Sequence, residues 1–389
     1  MSSNWEMASL GSLCEVITKG TTPTSIGHKF VDEGINFVKV ESIALNGDFL
    51  ENKFAYITED GNNALKRSQL KEGDILFSIA GALGRTAIVT KDILPANTNQ
   101  ALSIIRLKEN EEVLKSYVFL ALNSGFALEQ IEKFKGGVAQ QNLSLTQMKN
   151  FQIPIPKIEQ QKQIVEILDK TFESITKAKE NIEKNIENTK ELFQSRLNEI
   201  FSQKGEDWEE SKVFNICKDI FAGGDKPKEN FSKERTEEFN IPIYANAVKN
   251  RGLNGFTNNA RVKENSITIS ARGSGTGHTE LRTENFFPIV RLIVLIPDLE
   301  KVNLVFLKYI IDNLEILRSG SAIPQLTVPM IKDYDVSFPS IDKQEEIIFE
   351  LDTLKEQTKK LENHYQQKLE NLEELKKSIL QKAFNGELI

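Results

Sequence analysis

The fold is decided by two related stretches, PKIEQQKQIVEILD at residues 156–169 and PSIDKQEEIIFELD at residues 339–352. Each starts with a proline and continues in helix-forming residues, with no further glycine or proline before Gly205 in the first copy and Gly386 in the second. Because proline and glycine interrupt helices, the pattern predicts two long helices. The two stretches lie 183 residues apart, so the chain contains an internal repeat.

Apolar residues recur at seven-residue spacings in both predicted helices, which is typical of the seam of a coiled coil. The seam residues are Leu168, Phe172, Ile175, Ile182, Ile186 and Phe193 in the first helix, and Leu351, Leu354, Leu361, Tyr365, Leu372 and Ile379 in the second. A helix from Ile158 to Phe201 would be about 66 Å long at 1.5 Å per residue, so it needs a partner. We expect that partner to be the other helix of the same chain, since this avoids the entropy cost of dimerising; a zipper between two copies is the alternative.

The sequence before each helix is also repeated, with a different offset. Trp5-Glu6 and Trp208-Glu209 open the two copies 203 residues apart, so the helices match in length while the globular parts differ by insertions and deletions. Short β-branched runs between Gly, Pro and Asn predict strands, and spacings of three and four predict one helix in each globular part. The predicted strands span 35–40, 74–79, 87–90, 102–107, 266–270 and 289–297, and the predicted helices span 114–134 and 305–317.

These patterns predict an α+β fold of two similar, mostly β domains, each followed by a long helix. The expected bounds are 1–157 for the first domain, 158–204 for the first helix, 205–340 for the second domain and 341–389 for the second helix.

Composition limits the classes of function. The formal net charge is −7, yet residues 61–108 and 239–282 each carry an excess of four positive charges, as a nucleic-acid binder requires locally. No run has the length of a membrane span and the first residues lack signal-peptide features, so we expect a cytoplasmic protein without a membrane partner. Two cysteines and three histidines lack metal-ligand spacing, and buried free thiols are the expected state of Cys14 and Cys217.

Motifs for catalysis are missing from the sequence. The segment RGSGTGHT at residues 272–279 is glycine-rich, but no lysine follows the glycines as a phosphate-binding P-loop requires. A methyltransferase-type Asn/Asp-Pro-Pro-aromatic tetrapeptide is absent, and no Ser or Cys nucleophile has a histidine placed beside it. The glycines instead fit a tight turn that approaches DNA closely, or a plain hairpin turn. The sequence therefore indicates a binding protein.

Several segments resemble the specificity subunits of type I restriction-modification systems, and the resemblance covers essentially the whole chain. They are ITKGTTP at residues 17–23, GDILFS at residues 73–78 with the following Gly81 to Val89, Asn99-Gln100-Ala101, and IPIPKIEQQKQIV at residues 153–165. The second copy departs more, with Gly224-Asp225-Lys226-Pro227 in place of the Gly-Thr-Pro motif. Such divergence is expected if each copy reads a different base sequence.

The resemblance implies two target-recognition domains, held by an antiparallel pair of helices, that read a bipartite site in double-stranded DNA. The helix length would set the spacer between the two half-sites. Two methylation subunits with S-adenosylmethionine, and restriction subunits with ATP and Mg, would supply the chemistry. The chain itself would bind no cofactor and would not be an enzyme.

Arg, Asn, Gln and Ser side chains are expected to contact base edges, while Lys and Thr hold phosphates. The candidates are Lys19, Thr21, Ser78, Arg85, Thr86, Gln140, Gln141 and Asn142 in the first domain, and Asn246, Lys249, Arg251, Arg272, Ser274, Thr276 and Gln325 in the second. The alternative function is a coiled-coil scaffold with two protein-interaction modules, which the helices alone would permit. The basic middle of each domain favours DNA.

Overall fold

The computed structural model describes residues 5–109, 112–135, 142–273, 275–314 and 325–389. The predicted site residues Gln140, Gln141 and Ser274 therefore lie outside the described residues. The chain forms two compact units: unit 1 contains residues 1–182 and 367–389, and unit 2 contains residues 183–366. Each unit thus combines one globular head with part of both long helices.

Within the part of the chain that the structure describes, the head of unit 1 contains ten strands: β1 Glu6–Ser9, β2 Cys14–Lys19, β3 Phe30–Val31, β4 Ile35–Val38, β5 Ala55–Ile57, β6 Ile75–Ser78, β7 Thr86–Ile88, β8 Ala96–Thr98, β9 Leu102–Leu107 and β10 Gln152–Ile155. Its helices are α1 Leu10–Leu13, α2 Glu59–Ala64, α3 Lys115–Leu122, α4 Gly125–Lys135 and α5 Leu145–Lys149. The first long helix, α6, follows from Ile158 to Ser202. One helix was predicted over 114–134; the chain instead forms two helices, separated around Ser124.

The head of unit 2 contains nine strands among its described residues: β11 Glu209–Lys212, β12 Cys217–Ala222, β13 Ile241–Tyr244, β14 Leu253–Thr257, β15 Ser266–Ser270, β16 Thr279–Arg282, β17 Phe287–Pro288, β18 Leu292–Pro297 and β19 Asp335–Phe338. Its helices are α7 Leu304–Asn313 and α8 Val328–Lys332. The second long helix, α9, spans Ile341–Phe384.

The sheets of the two heads follow the same plan. A four-stranded antiparallel sheet has the order β2-β9-β6-β7 in unit 1 and β12-β18-β15-β16 in unit 2. A second sheet contains one parallel pair in each head, β4 with β8 and β13 with β17. The central strands are β-branched or apolar runs buried along their length, as strands inside a core require. The repeat seen in the sequence is therefore a repeat of topology.

A two-stranded pair joins the start of each head to the residues before its long helix. β1 pairs antiparallel with β10, and β11 pairs antiparallel with β19. Neither pair was predicted from the sequence, because strands of four residues with mixed exposure give little periodic signal. The pairing brings both ends of each head to its helix.

A buried glutamine fixes each long helix to its head. In unit 1 the Gln161 amide donates to the carbonyl oxygens of Glu112 and Pro156, both at 2.8 Å, and its Oε1 accepts from the backbone N–H of Leu114 at 3.0 Å. Gln161 is fully buried. All polar atoms of this buried side chain are thus hydrogen-bonded to backbone groups of the head and of the segment before α6, which avoids the cost of unpaired buried polar atoms.

The second unit repeats the same arrangement 183 residues later. Gln344, also fully buried, donates to the carbonyl oxygens of Lys301 and Pro339 at 2.9 and 2.8 Å and accepts from the Asn303 N–H at 2.8 Å. These two glutamines belong to the repeated stretches that decide the fold. We refer to the two arrangements as the glutamine junctions.

The two long helices run antiparallel, as predicted. In unit 1 the Lys179 ammonium bonds to the Glu373 carboxylate, and Lys376 Nζ lies 4.9 Å from the centre of the Phe172 ring. Residue numbers therefore rise along one helix as they fall along the other. The Lys179 bond holds the pKa of the Glu373 carboxyl below its usual value. In unit 2 Arg196 Nε lies 2.5 Å from Glu350 Oε1. The helices pair within the chain, so a zipper between two copies is not needed.

The buried side of the helices follows the predicted seam only in part. Leu168, Ile175 and Leu351 are buried, and the remaining predicted seam residues are half-buried with one exception. Leu361 is 43% exposed, so its assignment to the seam was wrong. In this stretch the less exposed positions step from Thr358 to Glu362, four residues on rather than three, so Glu362 takes the half-buried position that was predicted for Leu361.

Each head shares its core with the helices. In unit 1 the core includes Ile164 and Leu168 from α6 and Leu380 and Phe384 from α9, with the Phe384 ring centre 5.2 Å from that of Tyr117. In unit 2 it includes Leu197 from α6 and Ile347 and Leu351 from α9. The helices are thus part of each core and not merely a rod on which the heads are mounted.

Candidate nucleic-acid interface

Four strand termini, with their connecting loops, lie together at one end of the main sheet of each head, and this end forms an edge. In unit 1 these are the ends of β2 and β6 and the starts of β9 and β7, because neighbouring strands are antiparallel. The loops at this edge comprise residues 20–22, 99–101 and 79–84. The edge therefore collects the segments that carry most of the residues predicted to bind DNA in this head. We call it the reading edge of the head.

The first part of the reading edge in unit 1 is a polar cluster around Thr21. Arg67 Nη2 donates to Thr21 Oγ1 at 3.2 Å, and the Thr22 hydroxyl bonds to Gln100 Oε1. Gly20 is required here, because a Cβ at this position would lie 2.0 Å from the Thr98 carbonyl oxygen. Lys19, at the end of β2, is exposed next to this loop.

The second part is the turn between β6 and β7, where the structure gives Ser78 a role inside the head. The Ser78 hydroxyl donates to the Ala82 carbonyl oxygen and accepts from the Arg85 N–H at 2.7 Å, and its side chain is fully buried. Thr86 is buried as well and donates to Asn123 Oδ1 at 2.6 Å. These two hydroxyls are used within the protein, which does not fit their predicted contact with DNA.

Arg85 also points inward. Its Nη1 donates to the carbonyl oxygens of Ile43 at 2.9 Å and Val40 at 3.4 Å. Its Nε is buried and has no partner among the described residues. The guanidinium group therefore supports the segment after β4, and we remove Arg85 from the predicted interface. Asn142 does lie on the surface, paired through its backbone with Ala80 of the turn.

Unit 2 builds the same edge with Gly223 in the place of Gly20. The Gly223 N–H donates to the Leu292 carbonyl oxygen, as the Gly20 N–H does to that of Leu102. A Cβ at Gly223 would lie 2.6 Å from the Ile289 carbonyl oxygen. The repeat in the sequence aligned Gly20 with Gly224. The backbone hydrogen bonds make Gly223 the equivalent of Gly20 instead.

The turn between β15 and β16 differs from its counterpart in unit 1 by exposing a guanidinium. Arg272 is exposed and pairs through its backbone with Gln325, as Ala80 does with Asn142. Asn246 holds the backbone of this turn, since its Oδ1 accepts from the Arg272 N–H at 3.1 Å and its amide donates to the Arg272 carbonyl. Thr276 is buried and donates to the Gly273 carbonyl oxygen at 2.7 Å. Asn246 and Thr276 thus position the turn, while Arg272 and Gln325 remain available to a ligand.

A second basic turn lies beside the first. Lys249 is exposed, and Asn250 and Arg251 both adopt the left-handed backbone conformation at φ 52°, which is uncommon for residues other than glycine. Arg251 Nε lies 2.9 Å from Glu280 Oε2, and the Arg251 carbonyl accepts from Arg282 Nη2 at 2.7 Å. Arg251 is therefore tied to its own head although 56% of its side chain is exposed, and Lys249 is a second exposed cation of this turn.

The electrostatics of this turn depend on one carboxylate. Burial alone would raise the pKa of Glu280, but hydrogen bonds from Arg251 and His278 outweigh it and hold the pKa below its usual value. Arg282 is almost fully buried, lies with its guanidinium carbon 3.5 Å from the centre of the Tyr244 ring, and has its pKa lowered by burial. The charged Glu280 thus fixes the turn that presents Lys249.

Sequence reasoning did not select Arg67, Gln100 or Arg291. Arg67 and Gln100 reach the Thr21 cluster from distant parts of the chain, and Arg291 is an exposed residue just before β18 at the reading edge of unit 2. Only the strand order brings these three residues to their edges. The basic windows in the sequence, residues 61–108 and 239–282, contain Arg67 and Gln100, but charge alone did not distinguish either residue from its neighbours.

Other kinds of site find no support in the described residues. No group of three or more His, Cys, Asp or Glu is placed there to hold a metal ion. Burial raises the pKa of the Cys14 and Cys217 thiols to about 12, so both are protonated at neutral pH and neither is an activated nucleophile. In the described part of the chain, every helix is too short or too polar to cross a membrane.

The sequence matches a known family over most of its length. The family model of the type I restriction modification DNA specificity domain matches twice, at residues 2–188 and 205–371. A putative type I restriction enzyme specificity subunit of Methanocaldococcus jannaschii is 25% identical over 419 aligned positions, covering 99% of this chain and 94% of the relative. A putative type I specificity subunit of Mycoplasma pneumoniae is 38% identical over 158 residues, which is 41% of this chain and only 42% of that relative.

Solved structures share the fold. A chain from a study of complex assembly and conformational transition of the type I R-M system has a TM-score of 0.78 at 20% identity, covering 99% of both chains. The HsdS subunit from Thermoanaerobacter tengcongensis has a TM-score of 0.65 at 20% identity, covering 99% of this chain and 98% of that subunit. Two matches to one domain model, two heads of one topology and two paired helices lead to the same conclusion: the chain belongs to the family of type I restriction-modification DNA specificity proteins.

Proposed function

We propose that this chain is the DNA sequence-recognition subunit of a type I restriction-modification complex and that it acts in the cytoplasm. Each head reads one half of a bipartite target in double-stranded DNA. The chain contributes recognition without catalysis and binds no cofactor of its own. Methylation subunits with S-adenosylmethionine, and restriction subunits with ATP and Mg, contribute the chemistry.

The observation that carries this proposal is the repeated reading edge. Both heads form it from equivalent strands and with an equivalent glycine that lies close to a backbone carbonyl oxygen, yet the exposed side chains differ. Exposed or half-buried polar residues in the described part of this edge include Lys19, Thr21, Arg67, Gln100 and Asn142 in the first head, and Lys249, Arg251, Arg272, Arg291 and Gln325 in the second. Guanidinium and amide groups read base edges, whereas lysines hold phosphates. Gln140, Gln141 and Ser274, outside the described residues, stay predictions.

The direct test is to express the chain with a methylation subunit and to map methylated adenines across the host genome. We expect a two-part motif with an unspecific spacer, and Arg272→Ala should relax only one part. Leu299→Ala, which removes an exposed side chain after the far end of β18, serves as the control and should leave the motif unchanged. A single continuous motif, or methylation without the chain, would rule the proposal out. Binding of protein partners without any DNA preference would favour the scaffold instead.

The helices offer a second test, since we propose that their length sets the spacer. Four residues inserted after Ile182 and four after Gln366 would lengthen each helix by about 6 Å. We expect the spacer of the methylated motif to grow by about two base pairs, at about 3.4 Å per pair. An unchanged spacer in a folded, active complex would show that the helices do not set the distance.

The proposed contact with methylation subunits is supported by an apolar groove on the helices of unit 2. Phe349 is 77% exposed and lines this groove together with Leu192 and Leu354, next to the Arg196–Glu350 ion pair. Exposed aromatic surface of this kind is typical of a protein interface. The residue that corresponds to Phe349 in α6, 183 positions earlier, is Glu166. Phe349→Glu therefore gives α9 the side chain that α6 has at the equivalent position. We expect this variant to retain less methylation subunit on co-purification, whereas Glu166→Ala should retain the normal amount.

A further inference from the structure

Each head exposes an aliphatic side chain at the same place. Leu45, in the segment after β4, is 89% exposed, and Val248, in the segment after the equivalent strand β13, is 48% exposed. A single exposed leucine is ordinary. The recurrence at one topological position in both heads, which have otherwise diverged, calls for a reason.

The turn that carries Leu45 is held firmly. The Ala44 N–H donates to the Asp48 carbonyl oxygen at 2.9 Å, and the Gly47 N–H donates to that of Ala44 at 3.2 Å. The Asn46 amide donates to the Asp48 carboxylate at 2.6 Å, and Arg85 bonds to the Ile43 carbonyl just before the turn. These bonds hold Leu45 out in water, although an apolar side chain gains nothing there.

Both side chains stand at the reading edge. A Cβ at Gly47 would lie 3.2 Å from the Thr86 carbonyl oxygen, so the Leu45 turn packs against the start of β7. In unit 2 a Cβ at Gly275 would lie 2.5 Å from Val248 Cγ2, so Val248 packs against the turn that carries Arg272. The Leu45 turn therefore lies beside the start of β7, which is part of the reading edge of unit 1, and Val248 lies beside the turn that carries Arg272, one of the residues proposed to read bases.

The chemistry of the Leu45 turn restricts what it contacts in DNA. The turn from Ala44 to Asp48 contains no cation and carries one carboxylate, so a phosphate is a poor ligand for it. The apolar group that base pairs present in the major groove is the 5-methyl group of thymine. Resting on the proposed function, we propose that Leu45, and Val248 in the second head, read a thymine through its methyl group.

The test is a double-mutant cycle between protein and DNA in the complex assembled with methylation subunits. Duplexes of the mapped target carry uracil in place of each thymine of the first half-site, one at a time, which removes only the methyl group. For the wild-type complex we expect one such replacement to weaken binding about fourfold, the value of one buried methyl group. In Leu45→Ala the same replacement should have no effect. The cycle is repeated with Val248→Ala and the second half-site.

Leu299→Ala is the matched control, since it removes an exposed leucine that follows the opposite end of β18, and it should keep the full uracil effect. Leu45→Ala should also leave the melting temperature unchanged. If every uracil duplex affects wild type and Leu45→Ala equally, the methyl contact does not exist. Equal weakening on all duplexes, with loss of a DNA kink, would mean that Leu45 wedges between base steps and would overturn the inference. A complex with no preference for its target would instead refute the proposed function.

Discussion

The two copies of the repeat are alike at the glutamine junctions and differ at the reading edges. At the junctions, Gln161 and Gln344 form the same three hydrogen bonds in their units, with nearly equal distances. At the edges, the backbone is the same, but Ala80 of one turn corresponds to Arg272 of the other. The two copies therefore keep the same attachment of head to helix, while the surface that we propose to bind DNA carries different side chains.

The largest effect should come from breaking a junction. Gln161→Leu removes all three hydrogen bonds of the junction, which we expect to cost roughly 3 kcal/mol of stability. Gln344→Leu should cost a similar amount in unit 2, because its bonds are the same. Urea unfolding measures the cost, and hydrogen exchange should accelerate at the Leu114 amide in the first variant and at the Asn303 amide in the second.

Gln163→Ala is the control for the junction, since Gln163 is an exposed residue two positions further along the same helix. We expect it to change stability by less than about 0.5 kcal/mol. A loss at one junction only would contradict the view that both copies depend on it equally.

The next effect concerns two arginines at the edges. Arg272→Ala should weaken binding to one half-site by about 1 to 3 kcal/mol if the guanidinium contacts guanine, with little change in stability. Arg85→Ala should do the reverse: it removes bonds to two carbonyls and costs about 1 to 2 kcal/mol of stability. Binding isotherms and thermal unfolding of both variants separate the two outcomes. A DNA-specific defect in a fully stable Arg85→Ala protein would restore Arg85 to the interface.

A smaller effect is expected from the lysines at the edges. Lys19→Ala and Lys249→Ala each remove one exposed cation and should reduce the slope of log affinity against log salt by about 1, without changing which sequence is preferred. Measurements at several salt concentrations give the slope. Lys177→Ala is the control, because Lys177 is paired with Glu173 on α6, away from the edges, and the slope should stay as in wild type.

The smallest effect tests the helices that the junctions hold. Leu361→Ala should change stability by less than about 0.5 kcal/mol, since the side chain is exposed. A strict seven-residue seam would bury Leu361 and make the same substitution cost about 2 kcal/mol or more. Thermal unfolding distinguishes the two values, and a large loss would favour the seven-residue seam.

Much of the fold could be predicted from the sequence, because long apolar runs and uninterrupted helix formers leave few alternatives. The six predicted strands coincide with or overlap β4, β6, β7, β9, β15 and β18, and the long helices begin at Ile158 and Ile341. The periodicity could not show that the half-buried position is Glu362 and not Leu361, because this shift of one residue leaves the seven-residue series through Thr358, Tyr365 and Leu372 unchanged.

The candidate site was predicted less well, for a physical reason. The direction of the Arg85 guanidinium depends on carbonyls more than forty residues earlier in the chain, and no local pattern reports them. Arg67 and Gln100 join the Thr21 cluster only through the sheet order. The glutamines of the junctions were visible as part of the repeated motif, yet their three bonds need the folded head.

The core of unit 1 has a consequence for how the protein is made. Tyr117 packs on Phe384, and Leu380 lies in the same core. The core of unit 1 therefore cannot be completed until Leu380 and Phe384 have been synthesised. The ribosome releases the second head before it releases these partners, and at synthesis rates of about 5 to 20 residues per second the delay is many seconds. Unit 2 is continuous in sequence and can close first. The head that is translated first is therefore expected to be the last to mature, and to depend on chaperones for longer.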